Sequence, residues 1–401
     1  MKKIKLKNGL TIIIEPRKSK SVVIEACIKV GSVNENPKSA GISHFIEHML
    51  FEGTKKYKDS KAISNEIEKL GGDINAATGN ERTYYYVKVP KKHFDIALEI
   101  ITQMIRFPLF ENKKVIKERK IVTDEVNLIT DDPKYHQFIL FQKTLFEKHP
   151  ARNPVYGSKK TVKGIKQKDA LAYYKKFYNP NNMVLVVVGD VKSAEKKIRE
   201  KFEDFKKKEV KPSKKVEEPK QKKRLVKEKR KTMQSYMVMG YKTVPRKHKD
   251  SYTLDVIRAV LGRGQSGRLF DEIRAKLGLA YDIGIFHQTG FDFGCFSAYL
   301  STQKSNLKKV EGLIYQEFQK LKDINSKTLK EAKTFLEGET ELDSEENLKH
   351  ADNLAFWELA KDSSELKNYI KKIKKVTKDD VKRAVNKYLT KDYVMAVIEQ
   401  N

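Results

Sequence analysis

The stretch "SHFIEHMLFEGT", residues 43–54, places His44 and His48 four positions apart, with Glu47 immediately before the second histidine. Its interleaved apolar residues predict an α-helix over about residues 40–51. Residues four apart lie one turn apart on the same helix face, so both imidazoles can reach a single ion. Glu47 extends toward a water bound to such an ion, where it can accept a proton. The stretch therefore indicates a zinc-hydrolase site or, in the simpler interpretation, an amphipathic helix with a polar edge.

The segment "ENKKVIKERKIVTDEVNLITDDP" contains a second predicted helix, from Glu111 to Leu128, which carries Glu118 and Glu125 seven residues apart and hence on nearly the same face. A catalytic zinc normally takes three protein ligands, so a third is required beside the histidines. One glutamate could coordinate the metal while the other orients the histidines. The spacing does not decide between them, and solvent exposure is the ordinary fate of acidic residues on a charged helix.

The order of predicted elements indicates an α+β fold built from two similar halves. Each half begins with alternating strand patterns, continues through several helices and ends in a short apolar strand, such as "MVLVVVGDV" and "YVMAVIE". The span Lys206–Lys231 holds 14 basic and 4 acidic residues with little apolar periodicity, which is typical of a solvated linker. We therefore predict an N-terminal domain over 1–208, a linker over 209–230 and a C-terminal domain over 231–401.

Composition limits the functional classes. The net charge of +30 is mostly lysine spread along the chain, without the motifs of nucleic-acid-binding domains, so no specific nucleic-acid partner is expected. The sequence contains no run of eighteen apolar residues, so no membrane span is predicted. Cys27 and Cys295 are far apart in strand-like segments, and we expect both to be buried thiols in a cytoplasmic protein.

Five segments together carry a resemblance to a known family. They are "GISHFIEHMLFEGT", "GGDINAATGNERTYYYV", "IKERKIVTDEV", "FYNPNNMVLVVVGDV" and "GRLFDEIRAKLGLAYDIG". The set resembles the pitrilysin superfamily of inverted (HxxEH) zinc metallopeptidases, and within it the short-chain bacterial and archaeal-type members related to mitochondrial processing peptidase. The resemblance implies two structurally related α/β-sandwich halves, each an antiparallel-rich sheet flanked by helices, that form half of a clamshell.

The resemblance also implies roles for the residues of the first half. It makes His44, His48 and Glu125 the ligands of one Zn²⁺ per chain, and Glu47 the general base. Glu118 matches the glutamate that orients the ligands. The implied activity is that of a zinc metalloendopeptidase, which cleaves unfolded or short peptides.

Further implied roles concern substrate binding and assembly. Asn75 and Ala76 match an edge strand on which the substrate backbone pairs as an added strand. Arg274 and Tyr281 match an arginine-tyrosine pair able to donate hydrogen bonds to a substrate carbonyl. Since a chain of this length is half a clamshell, we expect a homodimer in which this pair completes the partner's zinc site inside a closed chamber. A paralogous heterodimer and a non-catalytic assembly subunit are the alternatives.

Overall fold

The computed structural model describes residues 1–210 and 216–401, which form two compact units. The first unit contains residues 1–127, 153–210 and 343–366. The second contains residues 128–152, 216–342 and 367–401. Each unit is a sheet with helices packed against it, which confirms the predicted α+β fold with two sheets flanked by helices.

The first unit contains a six-stranded sheet. Its strands are β1 Lys2–Lys5, β2 Thr11–Glu15, β3 Ser21–Ile28, β4 Asp73–Thr78, β5 Thr83–Pro90 and β6 Met183–Val188. They lie in the order β1-β2-β6-β3-β5-β4, and only the β2–β6 pair is parallel. Strand β6 is buried throughout, as its unbroken apolar sequence predicts. Strand β4 forms one edge of the sheet, and no strand of the described residues pairs with its outer side.

The sheet of the second unit has five strands. They are β7 Arg224–Arg230, β8 Ser235–Lys242, β9 Ile283–Thr289, β10 Gly294–Thr302 and β11 Val394–Gln400. Their order is β7-β11-β8-β10-β9, with the β7–β11 pair parallel and the other pairs antiparallel. Strands β2 to β6 repeat the same order and directions in the first unit. The common topology confirms the predicted duplication.

Fourteen α-helices accompany the two sheets in the described parts of the chain. They are α1 Ile42–Phe51, α2 Ser60–Glu68, α3 Phe94–Arg106, α4 Asn112–Asp131, α5 Pro133–Leu145, α6 Lys159–Lys163, α7 Gln167–Phe177, α8 Ala194–Phe202, α9 Asp250–Gly262, α10 Leu307–Lys320, α11 Ser326–Glu345, α12 Asn347–Ala360, α13 Glu365–Lys375 and α14 Lys378–Tyr388. A π-helical segment, Phe270–Lys276, contains Arg274. Helix α1 coincides with the predicted helix over 40–51 to within two residues.

Two helices pack on sheets that are distant from them in sequence. Helix α12, although it follows most of the second unit, packs on β3 and β6 of the first sheet. Its Asp352 accepts hydrogen bonds of 2.6 and 3.0 Å from the guanidinium of Arg82. Helix α5 precedes the second sheet yet packs on β8 and β11. Gly240 of β8 makes room for it, because a Cβ there would come within 2.7 Å of the Phe141 ring.

These observations differ from the predicted domain boundaries. The units are not contiguous, because α5 lies with the second sheet and α12 with the first. Residues 224–230, predicted as linker, form strand β7, which pairs with β11. This strand is rich in charge because it lies at a sheet edge, where alternate side chains reach solvent. Residues 211–215, inside the predicted linker, lie outside the described residues.

Two smaller predictions concern thiols and membrane spans. Cys27 on β3 and Cys295 on β10 are both buried, as predicted. Among the residues that the structure describes, no helix combines the length and the apolar character needed to cross a bilayer.

Candidate metal centre

Helix α1 forms one wall of the candidate centre. Phe45, Ile46, Met49 and Leu50 are buried in the core of the first unit, which fixes the helix and turns its polar residues toward β4 and α4. One donor atom from each of His44, Glu47 and His48 lies within 4.8 Å of the others. The two imidazole rings are 4.7 Å apart between centroids.

Glu125 on α4 faces both histidines. Its Oε1 lies 3.6 Å from Nε2 of His44, and its Oε2 lies 3.4 Å from Nε2 of His48. Two imidazole nitrogens and a carboxylate, converging in this way, are the donor set of many catalytic zinc sites. These residues therefore fit a zinc ion, and the geometry answers the question that the spacing left open: Glu125, rather than Glu118, faces both Nε2 atoms.

Glu118 lies two helical turns before Glu125 on α4 and contacts the other side of His48. Its Oε2 lies 3.3 Å from Nδ1 of His48, and its side chain is almost fully buried. A carboxylate on Nδ1 orients the ring and directs Nε2 toward Glu125. Lys117 holds this arrangement from outside, with Nζ 3.5 Å from Glu118 and 3.0 Å from Glu52 at the end of α1.

Glu47 lies in the same cluster but is held by a different element. Thr78, the last residue of β4, donates a hydrogen bond of 2.5 Å from Oγ1 to Oε2 of Glu47. Glu118 and Glu125, by contrast, contact the histidines. Glu47 is therefore oriented independently of the other two glutamates.

The electrostatics differ between the two histidines. Burial, and then the neighbouring His48, lowers the pKa of His44 to about 4 against the opposing effect of Glu125, which leaves His44 neutral at pH 7. Burial also acts to lower the pKa of His48, but hydrogen bonds to Glu118 and Glu125 outweigh it and raise the pKa to about 9.

The glutamates are also separated by their surroundings. Burial raises the pKa of Glu47 above its usual value, although the hydrogen bond from Thr78 acts against it. The pKa of Glu125 is lowered, first through its hydrogen bond to His48. For Glu118, burial acts to raise the pKa, but His48 and Lys117 outweigh it and lower the pKa. Glu47 is thus the carboxylate with the greatest tendency to take up a proton, as a general base requires.

Asn75 and Ala76 lie on the edge strand β4, which runs into Thr78. Asn75 is exposed and Ala76 packs partly against the core. Their partners across the ladder are Tyr86 and Tyr85 of β5, so the opposite edge of β4 faces away from the sheet.

Arg274 and Tyr281 lie together in the second unit. The guanidinium of Arg274 is 5.1 Å from the centroid of the Tyr281 ring and 4.7 Å from that of Phe270. Tyr281 is 72% exposed. A stacked guanidinium and an exposed phenol present hydrogen-bond donors side by side at the surface of this unit.

Sequence reasoning missed the residues that hold the site from outside. Thr78 lies in the quoted motif "INAAT", but nothing in the motif distinguishes its hydroxyl from that of any strand threonine. Glu52 and Lys117 are 65 positions apart and meet only because the fold brings the end of α1 beside α4. No spacing along the chain could have found that ion pair.

An inverted His-x-x-Glu-His group on the first of two repeated α+β units defines the class of inverted zinc metallopeptidases. The profile described as Insulinase (Peptidase family M16) matches residues 11–159, and the profile described as Peptidase M16 inactive domain matches residues 164–336. The uncharacterized zinc protease YmxG of Bacillus subtilis is 31% identical over 337 residues, which cover 83% of this chain and 82% of YmxG. An uncharacterized zinc protease of Rickettsia felis is 31% identical over 79% of this chain and 76% of its own.

Solved structures give the same result for the fold. The crystal structure of a protease from Helicobacter pylori superposes with a TM-score of 0.94 and 25% identity, and covers 99% of both chains. A Pseudomonas fluorescens structure described as a peptidase M16 inactive domain superposes with a TM-score of 0.90 at 20% identity over 100% of this chain and 98% of its own. The chain belongs to peptidase family M16, which confirms its resemblance to the short-chain members of the pitrilysin superfamily.

Proposed function

We propose that this chain is a zinc-dependent endopeptidase that cleaves unfolded or short peptides. The observation that carries the proposal is the convergence of His44 Nε2 and His48 Nε2 on the single carboxylate of Glu125, with Glu47 held beside them by Thr78. Three donors and one separately oriented base are what a hydrolytic zinc site requires. The relatives named zinc proteases support the same class.

His44, His48 and Glu125 would hold one zinc ion per chain. A bound zinc ion supplies Lewis acidity, which makes a water more acidic and polarises a peptide carbonyl. Glu118 would keep the His48 ring turned so that its Nε2 faces Glu125, the carboxylate that would hold the ion with it.

Glu47 is the proposed general base, which transfers a proton from the attacking water to the leaving amide nitrogen. It accepts a proton at its carboxylate as water oxygen attacks the peptide carbonyl carbon, and then donates that proton to the amide nitrogen as the C–N bond breaks. The raised pKa of Glu47 suits both halves of this transfer, because the group must first take up a proton and then release it.

Substrate binding is assigned to the free edge of β4. An extended peptide can add to this edge through backbone hydrogen bonds at Asn75 and Ala76, a mode that depends little on side-chain identity. Since β4 ends at Thr78, which contacts Glu47, a peptide on this edge is led toward the base.

Assembly is the remaining part of the proposal. We infer a dimer, of two copies of this chain or of this chain with a paralogue, in which Arg274 and Tyr281 of one subunit donate hydrogen bonds to the substrate carbonyl at the partner's zinc site. The closed space between such subunits would admit only unfolded or short peptides.

A non-catalytic assembly subunit is the second candidate. The words "inactive domain" in the profile that matches residues 164–336 favour it. That profile covers a region without His44, Glu47 or His48, whereas the profile over residues 11–159 covers all three. The complete His-Glu-His group therefore supports an enzyme.

The decisive experiment is the digestion of a mixed peptide library, read by mass spectrometry, with wild-type chain, chelator-treated chain and Glu47→Gln. We expect cleavage by the wild type, loss of cleavage with chelator, recovery with added zinc, and no cleavage by Glu47→Gln although it still binds zinc. Glu68→Gln, on the neighbouring helix α2, is the matched control and should cleave normally. Zinc binding without cleavage by the wild type would favour the assembly subunit.

A further inference from the structure

The first turn of α1 needs a cap from elsewhere in the chain. The first N–H groups of any helix lack partners within the helix, and His44 is the third residue of α1. The N-cap residue, Gly41, has no side chain to supply an acceptor and adopts a left-handed conformation with φ of 94°. Left to itself, the turn that carries His44 would be the part of α1 most prone to fray.

Glu35 supplies the missing acceptors. Its Oε2 accepts a hydrogen bond of 2.7 Å from the N–H of Gly41, and its Oε1 accepts one of 2.8 Å from the N–H of Ser43. One carboxylate thus spans the N-cap and the residue immediately before His44. A carboxylate at a helix N-terminus also lies at the positive end of the helix dipole.

The two histidines are oriented by different means. The ring of His48 is held by Glu118 at its Nδ1. The Nδ1 of His44 is buried and has no hydrogen-bond partner among residues 1–210 and 216–401. The His44 ring instead packs edge-on against the ring of Tyr156, with 4.8 Å between centroids. The direction of His44 therefore depends on the backbone that carries it and on this ring contact.

The Tyr156 contact depends on the same turn. A Cβ at Gly157 would lie 2.2 Å from the carbonyl oxygen of Ala40, and a Cβ at Gly41 would lie 2.7 Å from that of Tyr156. The loop that carries Tyr156 is therefore seated directly on the capped turn. A shift of this turn would displace both supports of the His44 ring.

From these contacts we propose that Glu35 is a positioning residue for the metal centre, and that it sets the zinc affinity through the backbone of α1 and the direction of His44. The inference rests on the proposed function, because it assumes that His44 is a zinc ligand. Glu35 accepts its hydrogen bonds from the backbone of Gly41 and Ser43, not from a ligand side chain, so its effect should appear in metal affinity rather than in the identity of the bound metal.

The test compares zinc affinity, measured by competition with a chromogenic chelator, in wild-type chain, Glu35→Ala, Glu35→Gln and Asp59→Ala. Asp59 is the matched control, since it caps the neighbouring helix α2 with a hydrogen bond of 2.8 Å from the N–H of Ala62, and α2 carries no proposed ligand. Supports of metal ligands typically change affinity by 10–100-fold, and we expect Glu35→Ala to bind zinc roughly tenfold more weakly. The zinc affinity of Glu35→Gln, which keeps one acceptor oxygen, should lie between those of wild type and Glu35→Ala. The zinc affinity of Asp59→Ala should match that of the wild type.

Hydrogen exchange of the zinc-free proteins supplies a second readout. The amides at the start of α1 should exchange faster in Glu35→Ala than in wild type, while Asp59→Ala should accelerate exchange only in α2. Equal zinc affinity in wild type and Glu35→Ala, or unchanged exchange in α1, overturns the inference and leaves the proposed function standing. A wild-type chain that binds no zinc would contradict both the inference about Glu35 and the proposed function. If Glu35→Ala does not fold, Glu35→Gln decides the question by the same two measurements.

Discussion

The hydroxyl of Thr78 donates a hydrogen bond of 2.5 Å to the carboxylate of Glu47 and so joins strand β4 to helix α1. One contact therefore links the edge proposed to hold the peptide with the group proposed to move the proton. In the proposed mode of binding, a peptide that pairs along β4 would extend toward Glu47.

Replacing Thr78 by valine keeps the shape of the side chain and removes the donor. We expect kcat to fall about tenfold, which corresponds to about 1.4 kcal/mol in activation free energy, because Glu47 loses its orientation. Zinc content should not change, since the hydroxyl of Thr78 donates its hydrogen bond to Glu47, which is not a proposed ligand. Thr11→Val on β2 is the control. Steady-state kinetics on one cleavable peptide, with metal analysis of each variant, provide the measurement, and an unaltered kcat for Thr78→Val would contradict it.

Replacing Glu118 by glutamine tests the support of His48. The amide cannot offer a carboxylate to Nδ1, so the ring loses its fixed direction, and we expect zinc affinity to fall between about 10- and 100-fold. Asp124→Asn, an exposed change on the same helix, should leave affinity as it is. Chelator competition measures both. If the two variants bind zinc equally well, Glu118 does not orient the ligand.

Mixing two inactive variants tests whether subunits share a site. Glu47→Gln lacks the base and Arg274→Ala lacks the proposed carbonyl donor, so neither should cleave alone. In a symmetric dimer with free exchange, half the dimers would be mixed and each would hold one complete site, giving roughly a quarter of wild-type activity. Exchange must be verified with labelled subunits. No recovered cleavage despite verified exchange would show that Arg274 does not act across a dimer.

The second unit contains an acidic group whose charge should stabilise the fold. Burial acts to raise the pKa of Asp250, but hydrogen bonds from Tyr388, Arg383 and Lys387 outweigh it and lower the pKa to about 2. A depressed folded-state pKa gives stability that is complete above the unfolded-state value near 4 and is lost as pH falls through about 2.

The corresponding prediction concerns acid stability. Between about pH 5 and pH 2, the unfolding free energy of wild type should fall by roughly 2 kcal/mol more than that of Asp250→Asn, which has no charge to lose. Asp379→Asn, an exposed change on α14, should follow the wild type. Urea unfolding of the zinc-free proteins at several pH values measures this difference, and parallel curves for wild type and Asp250→Asn would contradict it.

The sequence predicted those parts of the fold that depend on local pattern. The period of apolar residues located α1, and the unbroken apolar run "MVLVVV" located β6, because both patterns reflect burial of a regular element. It could not assign α5 and α12 to their sheets, since an apolar helix face does not specify which sheet it covers. Strand β7 was missed because its charged residues mask the alternation of an edge strand.

The candidate site divides in the same way. His44, Glu47 and His48 could be found because their arrangement is set by one helix, and Glu118 and Glu125 because theirs is set by another. The contacts of Thr78 with Glu47 and of Glu35 with α1 depend on packing between elements, so they became visible only in the structure.

The exchange of α5 and α12 has a consequence for biosynthesis. When a ribosome has released residues 1–210, the face of β3 and β6 that Ala351, Leu354 and Ala355 cover still lacks its helix, since α12 begins only at Asn347. At that stage helix α5 has been synthesised, but strands β8 and β11, on which it packs, have not. The first unit therefore cannot finish folding during translation in the usual order from the N-terminus. Truncation anywhere before residue 360 should expose apolar surface in both units, so the chain should tolerate neither separation into halves nor an early stop.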